Sequence, residues 1–363
     1  MSTKEGAVIR LDEAAFLRLV RCETRGAAAA AARLGLGGAA GLYRLGAGAR
    51  NLAFDRGWKP SHRAGVPVIS VGNLTLGGTG KTPMVEWIAR WYRRRSVRVA
   101  ILSRGYGDAG GMNDEGRVLE ENLPDVPHLQ GADRVDLAGR AVEELESQVL
   151  VLDDGFQHRR LARDLDVVLL DALDPFGLGR IFPRGLLREP VGSLRRAGVV
   201  VLSRADLVAE AARAAIRARA EHAAGPVRWA TARHAPLDLV DAGGASSPLS
   251  GLAGAKVAAF CGIGNPEGFR RTLAGLGVDL VGFRAFPDHH PYRAADVGDL
   301  AAWARSLGAE LALTTQKDSV KLRASDLGPV PLRALRIGLE LMDGAEALEA
   351  ALQALVPPGK DAP

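Results

Sequence analysis

Residues 66–83 read Val-Pro-Val-Ile-Ser-Val-Gly-Asn-Leu-Thr-Leu-Gly-Gly-Thr-Gly-Lys-Thr-Pro. An apolar run suited to a buried strand enters a glycine-rich turn, and Lys-Thr follows where a helix would open. That order suits a phosphate cradle, because loop N–H groups and a helix N-terminus converge on a polyphosphate and the helix dipole adds favourable potential. Gly77, Gly78, Thr79 and Gly80 supply the loop. Lys81 can neutralise β/γ oxygens, and the Thr82 hydroxyl can join a Mg²⁺ shell. The pattern G-x-x-x-x-G-K-[ST] asks for glycine at position 75, where this chain has Thr75.

Further reactive types stand at the ends of other apolar runs. Val149-Leu-Val-Leu-Asp-Asp-Gly-Phe-Gln-His158 ends in two carboxylates, Asp153 and Asp154, the position from which an acid holds Mg²⁺ or its waters beside a phosphate loop; alone, such a pair would equally serve as a helix cap. In Leu102-Ser-Arg-Gly-Tyr-Gly107, Arg104 can reach phosphates and Tyr106 can stack or hydrogen-bond. Asn113-Asp-Glu-Gly116 lies in a loop-like stretch; transfer to an alcohol needs a carboxylate to accept the hydroxyl proton, and Asp114 and Glu115 can divide base and metal duties, although a solvated acidic turn is the commoner explanation for such a pair. Pro287-Asp-His-His-Pro291 offers an Asp–His orienting pair rather than a metal site, since adjacent histidines rarely ligate one ion. Val201-Leu-Ser-Arg-Ala-Asp206 resembles the guanine-reading [NT]KxD element of GTPases.

These residues need a scaffold, and the apolar runs outline one. Strands are expected at Pro67–Val71, Arg98–Leu102, Gln148–Leu152, Asp166–Leu170 and Gly198–Leu202, with helices at Thr82–Arg95, Arg134–Glu146 and Leu207–Ala223. Continuous apolar strands separated by helices indicate an α/β fold, a P-loop NTPase-like parallel sheet covered on both faces, with ligand chemistry at the strands' carboxyl ends. After Pro226 the texture changes, and Lys256–Phe260, Asp279–Phe283, Glu310–Thr314 and Leu335–Leu339 outline a smaller C-terminal α/β domain. The expected division is residues 1–65 as an N-terminal basic amphipathic helical segment, 66–235 as the P-loop domain, 236–350 as the smaller domain and 351–363 as a tail.

Length and composition, 363 residues with 47% hydrophobic and 25% charged, fit a globular protein with room for two cores. Two cysteines far apart, with no Cys/His cluster of zinc spacing, point to a reducing compartment without structural metal. Charged residues from Lys4 to Glu13 interrupt any secretory signal. Between Ala14 and Gly65, nine basic residues (Arg18, Arg21, Arg25, Arg33, Arg44, Arg50, Arg56, Lys59, Arg63) face two acidic ones (Glu23, Asp55), although the whole chain carries only +5. Interleaved leucines and alanines make this a candidate for lying in an anionic membrane interface, the alternative being a solvated helix packed on the domain. No apolar run approaches the roughly 20 residues of a membrane span. Few aromatics accompany the arginines, which argues against nucleic acid as a partner.

Seven motifs in one order carry a resemblance. They are Val71–Pro83, Ser103-Arg-Gly-Tyr-Gly107, Asp153-Asp-Gly-Phe-Gln-His158, Arg184-Gly-Leu-Leu-Arg-Glu-Pro190, Cys261-Gly-Ile-Gly-Asn-Pro266, Asp288-His289 and Thr315-Gln-Lys-Asp-Ser-Val-Lys321. On these the chain resembles the tetraacyldisaccharide 4′-kinase family of Gram-negative bacteria, from about Trp58 to Val320. The resemblance implies a peripheral enzyme on the cytoplasmic face of the inner membrane. It would use ATP and Mg²⁺ to phosphorylate the 4′-hydroxyl of a membrane-embedded lipid A precursor. It also implies Asp114 as catalytic base paired with His289, and Lys81 on the phosphates. Glu115, Gln157, Asp153 and Asp154 would belong to the metal shell, and Arg134 and Arg188 would lie near phosphates or headgroup. Thr75 is then the family's own loop. The family usually has Gly-Asp-Glu-Pro around the base, where this chain has Asn113-Asp-Glu-Gly116; asparagine tolerates left-handed angles nearly as glycine does. Two other readings are a P-loop GTPase or metallochaperone using Ser203–Asp206, and a non-catalytic nucleotide-gated membrane-binding protein.

Overall fold

The strands expected from the apolar runs all form, and hydrogen bonds join them into one sheet in the computed structural model, which describes residues 13–105, 114–322, 324 and 326–357. The first half of the chain builds α1 (Glu13–Val20), α2 (Ala27–Asp55), β1 (Val68–Asn73), α3 (Lys81–Arg93), β2 (Val99–Ser103), α4 (Asp114–Asn122), β3 (His128–Gln130), α5 (Arg134–Glu143), β4 (Val149–Asp153), β5 (Leu165–Asp171), β6 (Val199–Ser203) and α6 (Glu210–Ala224). The remainder builds β7 (Arg228–Val240), β8 (Ser246–Ser247), β9 (Lys256–Cys261), α7 (Pro266–Gly275), β10 (Asp279–Ala285), α8 (Ala294–Ser306), β11 (Leu311–Thr315), α9 (Gln316–Ser319), β12 (Asp326–Leu327), β13 (Val330–Asp343) and α10 (Ala345–Gln353).

In the first half, strand residues alternate between two apolar layers, as a period of two requires. Ile69, Val71, Val151 and Val167 face α3, α4 and α10, while Val168, Leu170 and Leu202, with Ala100 and Leu152, face the opposite layer. Both faces are covered, so every residue of β1, β2 and β6 is buried. Helix α3 earns its place by stacking Met84, Val85, Ile88, Ala89 and Tyr92 on its inner side, and Pro83 sits in its first turn, where a missing N–H costs nothing. The second half repeats the plan: Val257, Ala259 and Leu313 pack under α7, and Ala258, Phe260 and Ala312 under α8.

Strand direction fixes where the cleft lies. The sheet order is β10-β9-β11-β13-β7-β6-β5-β1-β4-β2-β3, with parallel neighbours everywhere along this path except one antiparallel pair, β13 with β7. Only the start of β7 (Arg228 to Thr231) pairs with β6, while its continuation to Val240 pairs with β13. Likewise the start of β13 (Leu332 to Leu335) pairs with β11. The two parallel halves are therefore set end to end with opposed directions, and their carboxyl-terminal strand ends face one another.

Three features differ from expectation. The stretch around Asp114 is not loop throughout: α4 begins at Asp114, and an acid in the first helical turn is favoured by the dipole. The expected boundary at residue 235 falls inside β7, a 13-residue strand shared by both halves. The expected tail overlaps α10, whose Leu348 and Leu352 enter the first half's core and whose Leu352 carbonyl accepts a 2.9 Å hydrogen bond from the Tyr92 hydroxyl.

Candidate active site

Facing strand ends enclose a cleft of about 2720 Å³. Ordinary small-molecule sites run to roughly 1,000 Å³, so this one has room for two substrates. From the first half its wall takes residues 75–83, Asp114, Glu115, Asp153, Asp154 and Arg188; from the second it takes Asp288, His289, Lys317 and Lys321.

The phosphate loop is held open from beneath. The Asn73 side-chain amide donates to Thr79 Oγ1 at 3.0 Å, Ser203 Oγ donates to the Thr79 carbonyl at 2.8 Å, and Arg204 donates to the Gly78 carbonyl at 3.0 Å while pairing with Asp171. These bonds consume side chains and carbonyls. Arg204 and Ser203, two residues of the [NT]KxD-like segment, are thus engaged with the loop itself. Gly80 caps α3 at φ 88°, in the left-handed region, and a Cβ there would come within 2.5 Å of His234 Nε2. Only glycine meets both demands. Burial, helped by the Arg204 charge, pulls the His234 imidazole down to about 4, so it packs against the loop uncharged at neutral pH.

The two acids after β4 have different surroundings. Asp154 accepts two 2.8 Å bonds from Arg188 and lies 3.7 Å from Lys81 Nζ. Burial pushes its carboxyl up, but Lys81 and Arg188 outweigh that and hold it below the usual range. Asp153 has no such clamp. Its Oδ1 is shut off from solvent without a hydrogen-bond partner. Burial pushes it up to about 6 against the pull of Lys81, with the charges of Asp154 and Glu115 adding to the rise. Glu115 therefore faces the same space from α4, where Lys317 Nζ pairs with it; burial pushes its carboxyl up, and Lys317 more than offsets this.

Across the cleft His289 Nδ1 lies 2.9 Å from Asp114 Oδ2, and Lys321 Nζ lies 3.8 Å from the same oxygen. The Asp288 carboxylate accepts the His289 backbone N–H at 3.0 Å. Asp114 and His289 are 175 positions apart in sequence.

Not every expected residue reaches the wall. Among the described residues, Arg104, Arg134 and Gln157 do not line this cleft. Arg134 is buried at the start of α5, close enough for its charge to lower Asp154. Arg104 is exposed at the end of β2. Gln157 donates to the Asn73 carbonyl at 3.0 Å, leaving its Oε1 buried without a partner. Tyr106 and Asn113 lie outside the described residues. Lys317 and Lys321 were legible in the sequence only as members of the Thr315–Lys321 motif; α9 ends at Ser319, so the first lies on the helix and the second in the turn after it.

A hard cation suits this donor set. No three His, Cys, Asp or Glu side chains among the described residues converge into a protein-only cage. Mg²⁺ rarely uses one, since it takes one or two carboxylates and completes its shell with water and phosphate oxygens. The orphaned oxygen of Asp153, with Thr82 on the first turn of α3, fits that habit, and both residues line the cleft.

A family model described as tetraacyldisaccharide-1-P 4′-kinase matches residues 33–357. Curated relatives bearing the name tetraacyldisaccharide 4′-kinase include one from Anaeromyxobacter sp. (strain Fw109-5), 47% identical over 338 residues and covering 86% of this chain and 90% of the relative. Another, from Geobacter sulfurreducens, is 39% identical over 336 residues, 86% of this chain and 90% of the relative. Among solved structures, an LpxK from Aquifex aeolicus in complex with ATP superposes with a TM-score of 0.70 at 29% identity, covering 90% of this chain and 99% of that one.

The Asp153 environment has a measurable consequence. Because its folded value lies above the ordinary carboxylate value, the native state holds a proton here between about pH 4 and pH 6 that the unfolded chain releases. The associated stability is present below the lower value and lost as pH rises through the upper one. At pH 7.5, Asp153→Asn should therefore stabilise the ligand-free protein by about 1–3 kcal/mol in urea unfolding, and the gain should vanish near pH 4. An unchanged or lower stability at pH 7.5 would mean that the Asp153 carboxylate is not under strain.

Proposed function

Because the chain belongs to the tetraacyldisaccharide-1-P 4′-kinase family, we propose that its cleft performs that transfer with Asp114 as base. The enzyme is an ATP-dependent kinase of lipid A biosynthesis, transferring the γ-phosphoryl group to the 4′-hydroxyl of a tetraacyldisaccharide 1-phosphate. The single observation that carries the residue assignment is the Asp114–His289 contact, which sets a carboxylate opposite the phosphate loop in one cleft.

Phosphoryl transfer asks a protein chiefly for position and charge neutralisation. Residues 77–82 hold the triphosphate through loop amides and Lys81. Both neighbours of Asp114 use Oδ2, and Oδ1 has no partner among the described residues, so Oδ1 is free to accept the substrate's hydroxyl proton. As that proton leaves, the 4′-oxygen bonds to the γ-phosphorus, the bond to the β,γ-bridging oxygen breaks, and ADP departs with the electron pair. His289, donating from Nδ1, keeps Asp114 aimed. Arg188 and Lys81 clamp Asp154, which keeps two cations beside the phosphates. Asp153 and Thr82 are the residues that would hold Mg²⁺, which when bound would neutralise phosphate charge.

The acceptor carries four acyl chains, so the enzyme must meet it at a bilayer. Among the described residues no helix is long and apolar enough to cross one. Yet α2, 29 residues long, buries only Ala29 and Ala40 and leaves Leu34, Leu42 and Leu45 at 79%, 74% and 71% exposure beside Arg33 and Arg44. A leucine stripe flanked by arginines suits the interface of an anionic membrane, with α2 lying in its plane. The neighbouring Phe16, Leu17 and Arg21 of the α1 region line the cleft itself, which would connect membrane surface to active site.

Labelled phosphate should pass from Mg-ATP to tetraacyldisaccharide 1-phosphate in detergent micelles with the wild type. Asp114→Ala and Lys81→Ala should each lower kcat by at least about 10²-fold. Survival of transfer in Asp114→Ala would remove it as base. Separately, replacing Leu34, Leu42 and Leu45 with serine should weaken sedimentation with anionic vesicles about tenfold or more; unchanged sedimentation would move the membrane contact elsewhere.

A further inference from the structure

The turn Thr315–Lys321 belongs to neither the phosphate loop nor the Asp–His pair, yet it reaches the base. We propose that Asp318 and Lys321 are positioning residues for Asp114 and His289, an inference that rests on reading Asp114 as the base.

Asp318 is fully buried. Its Oδ2 accepts the Gly262 N–H at 2.9 Å and the Thr315 hydroxyl at 2.7 Å, and its Oδ1 forms a 3.0 Å ion pair with Lys321. Two arms leave this carboxylate. One runs through Gly262, whose carbonyl accepts the His289 N–H at 3.1 Å, and His289 Nδ1 then meets Asp114 Oδ2. The other runs through Lys321, whose Nζ stands 3.8 Å from that same oxygen. A buried group in the second half thus governs both contacts made to a carboxylate in the first.

The first arm is tightly built. His289 sits at φ 57°, a left-handed angle that a non-glycine residue holds only when its surroundings over-determine it. Gly262 is closely packed, since a Cβ there would lie 3.1 Å from Asp318 Oδ1 and 3.2 Å from both the Pro287 carbonyl and His290 Cβ, and these neighbours would have to give by a few tenths of an ångström. In the second arm, the Lys321 side chain is only 10% exposed, against 60% for His289. The lysine is therefore the better fixed of the two donors, and a shielded ion pair is screened less by salt. Aimed at Oδ2, it holds the carboxylate rotamer that leaves Oδ1 to the substrate.

The competing view is that Lys321 merely neutralises Asp318, in which case its loss harms folding and nothing else. Steady-state transfer from Mg-ATP to tetraacyldisaccharide 1-phosphate by the full chain separates the two. Lys321→Met should lower kcat about tenfold or more with KM for ATP changed less than about threefold, and Lys321→Arg should recover most of the loss. In an Asp114→Asn background, adding Lys321→Met should cause no further loss, because residues acting as one unit are not additive. Lys321→Gln provides the same comparison should the methionine variant melt too low to assay. A folded Lys321→Met or Lys321→Gln enzyme with wild-type kcat, while Asp114→Asn is strongly slowed, would overturn this inference alone; an equal proportional loss from the residual rate of Asp114→Asn would do the same. Full activity in Asp114→Asn would instead overturn the base assignment and this inference with it.

Discussion

One antiparallel strand pair sets up everything else in this protein. Were β13 parallel to β7, both halves would direct their carboxyl-terminal strand ends the same way, and the chemistry of a parallel sheet collects at those ends. Reversal at β7–β13 turns the ends of β9 and β11 toward the ends of β1 and β4. The loop after β1 brings the glycine-rich residues 77–80, the turn after β4 brings Asp153 and Asp154, and the segments after β10 and β11 bring His289, Lys317 and Lys321. A buried polar seam supports this arrangement: Asn122 of α4 donates to Glu86 of α3 at 2.9 Å and accepts from Gln316 of α9 at 2.9 Å. The helix that carries Asp114 at its start is therefore pinned at its other end to the opposite half.

Electrostatics in the cleft follow from burial more than from charge count. Asp153 and Asp154 are neighbours in sequence, yet Arg188 and Lys81 keep one ionised while burial pushes the other up to about 6. A carboxylate left unclamped beside a phosphate loop suits the cation that, in the proposed reaction, would arrive with nucleotide. Cations from the second half, Lys317 and Lys321, meet carboxylates from the first, Glu115 and Asp114. These cross-cleft pairs tie the halves to one another.

How much of this was legible in the sequence depended on how local the determining interactions are. The phosphate loop was readable because its chemistry is confined to adjacent residues, and the strands of the parallel core because burial on both faces leaves continuous apolar runs. Strand β7 was not readable: Arg228-Trp-Ala-Thr-Ala-Arg-His-Ala235 mixes charge with small residues because one part lies in the core and another forms the cleft wall. The end of helix α10, residues 351–353, looked like tail because the partner of Leu352, Tyr92, lies 260 positions away. The Asp114–His289 pairing came from the family resemblance, since no spacing rule links residues 175 apart. Lys321 was visible only as part of a motif, and its role emerges once Asp318 is seen buried behind it.

The most direct test of a base site assembled across the cleft is a double-mutant cycle on kcat with Asp114→Asn and His289→Ala. If the two side chains act as a unit, the double variant will be about as slow as Asp114→Asn alone, giving a coupling energy of roughly 1–3 kcal/mol. If the two losses simply add, Asp114 and His289 work independently, and the contact between the halves is not what makes the site.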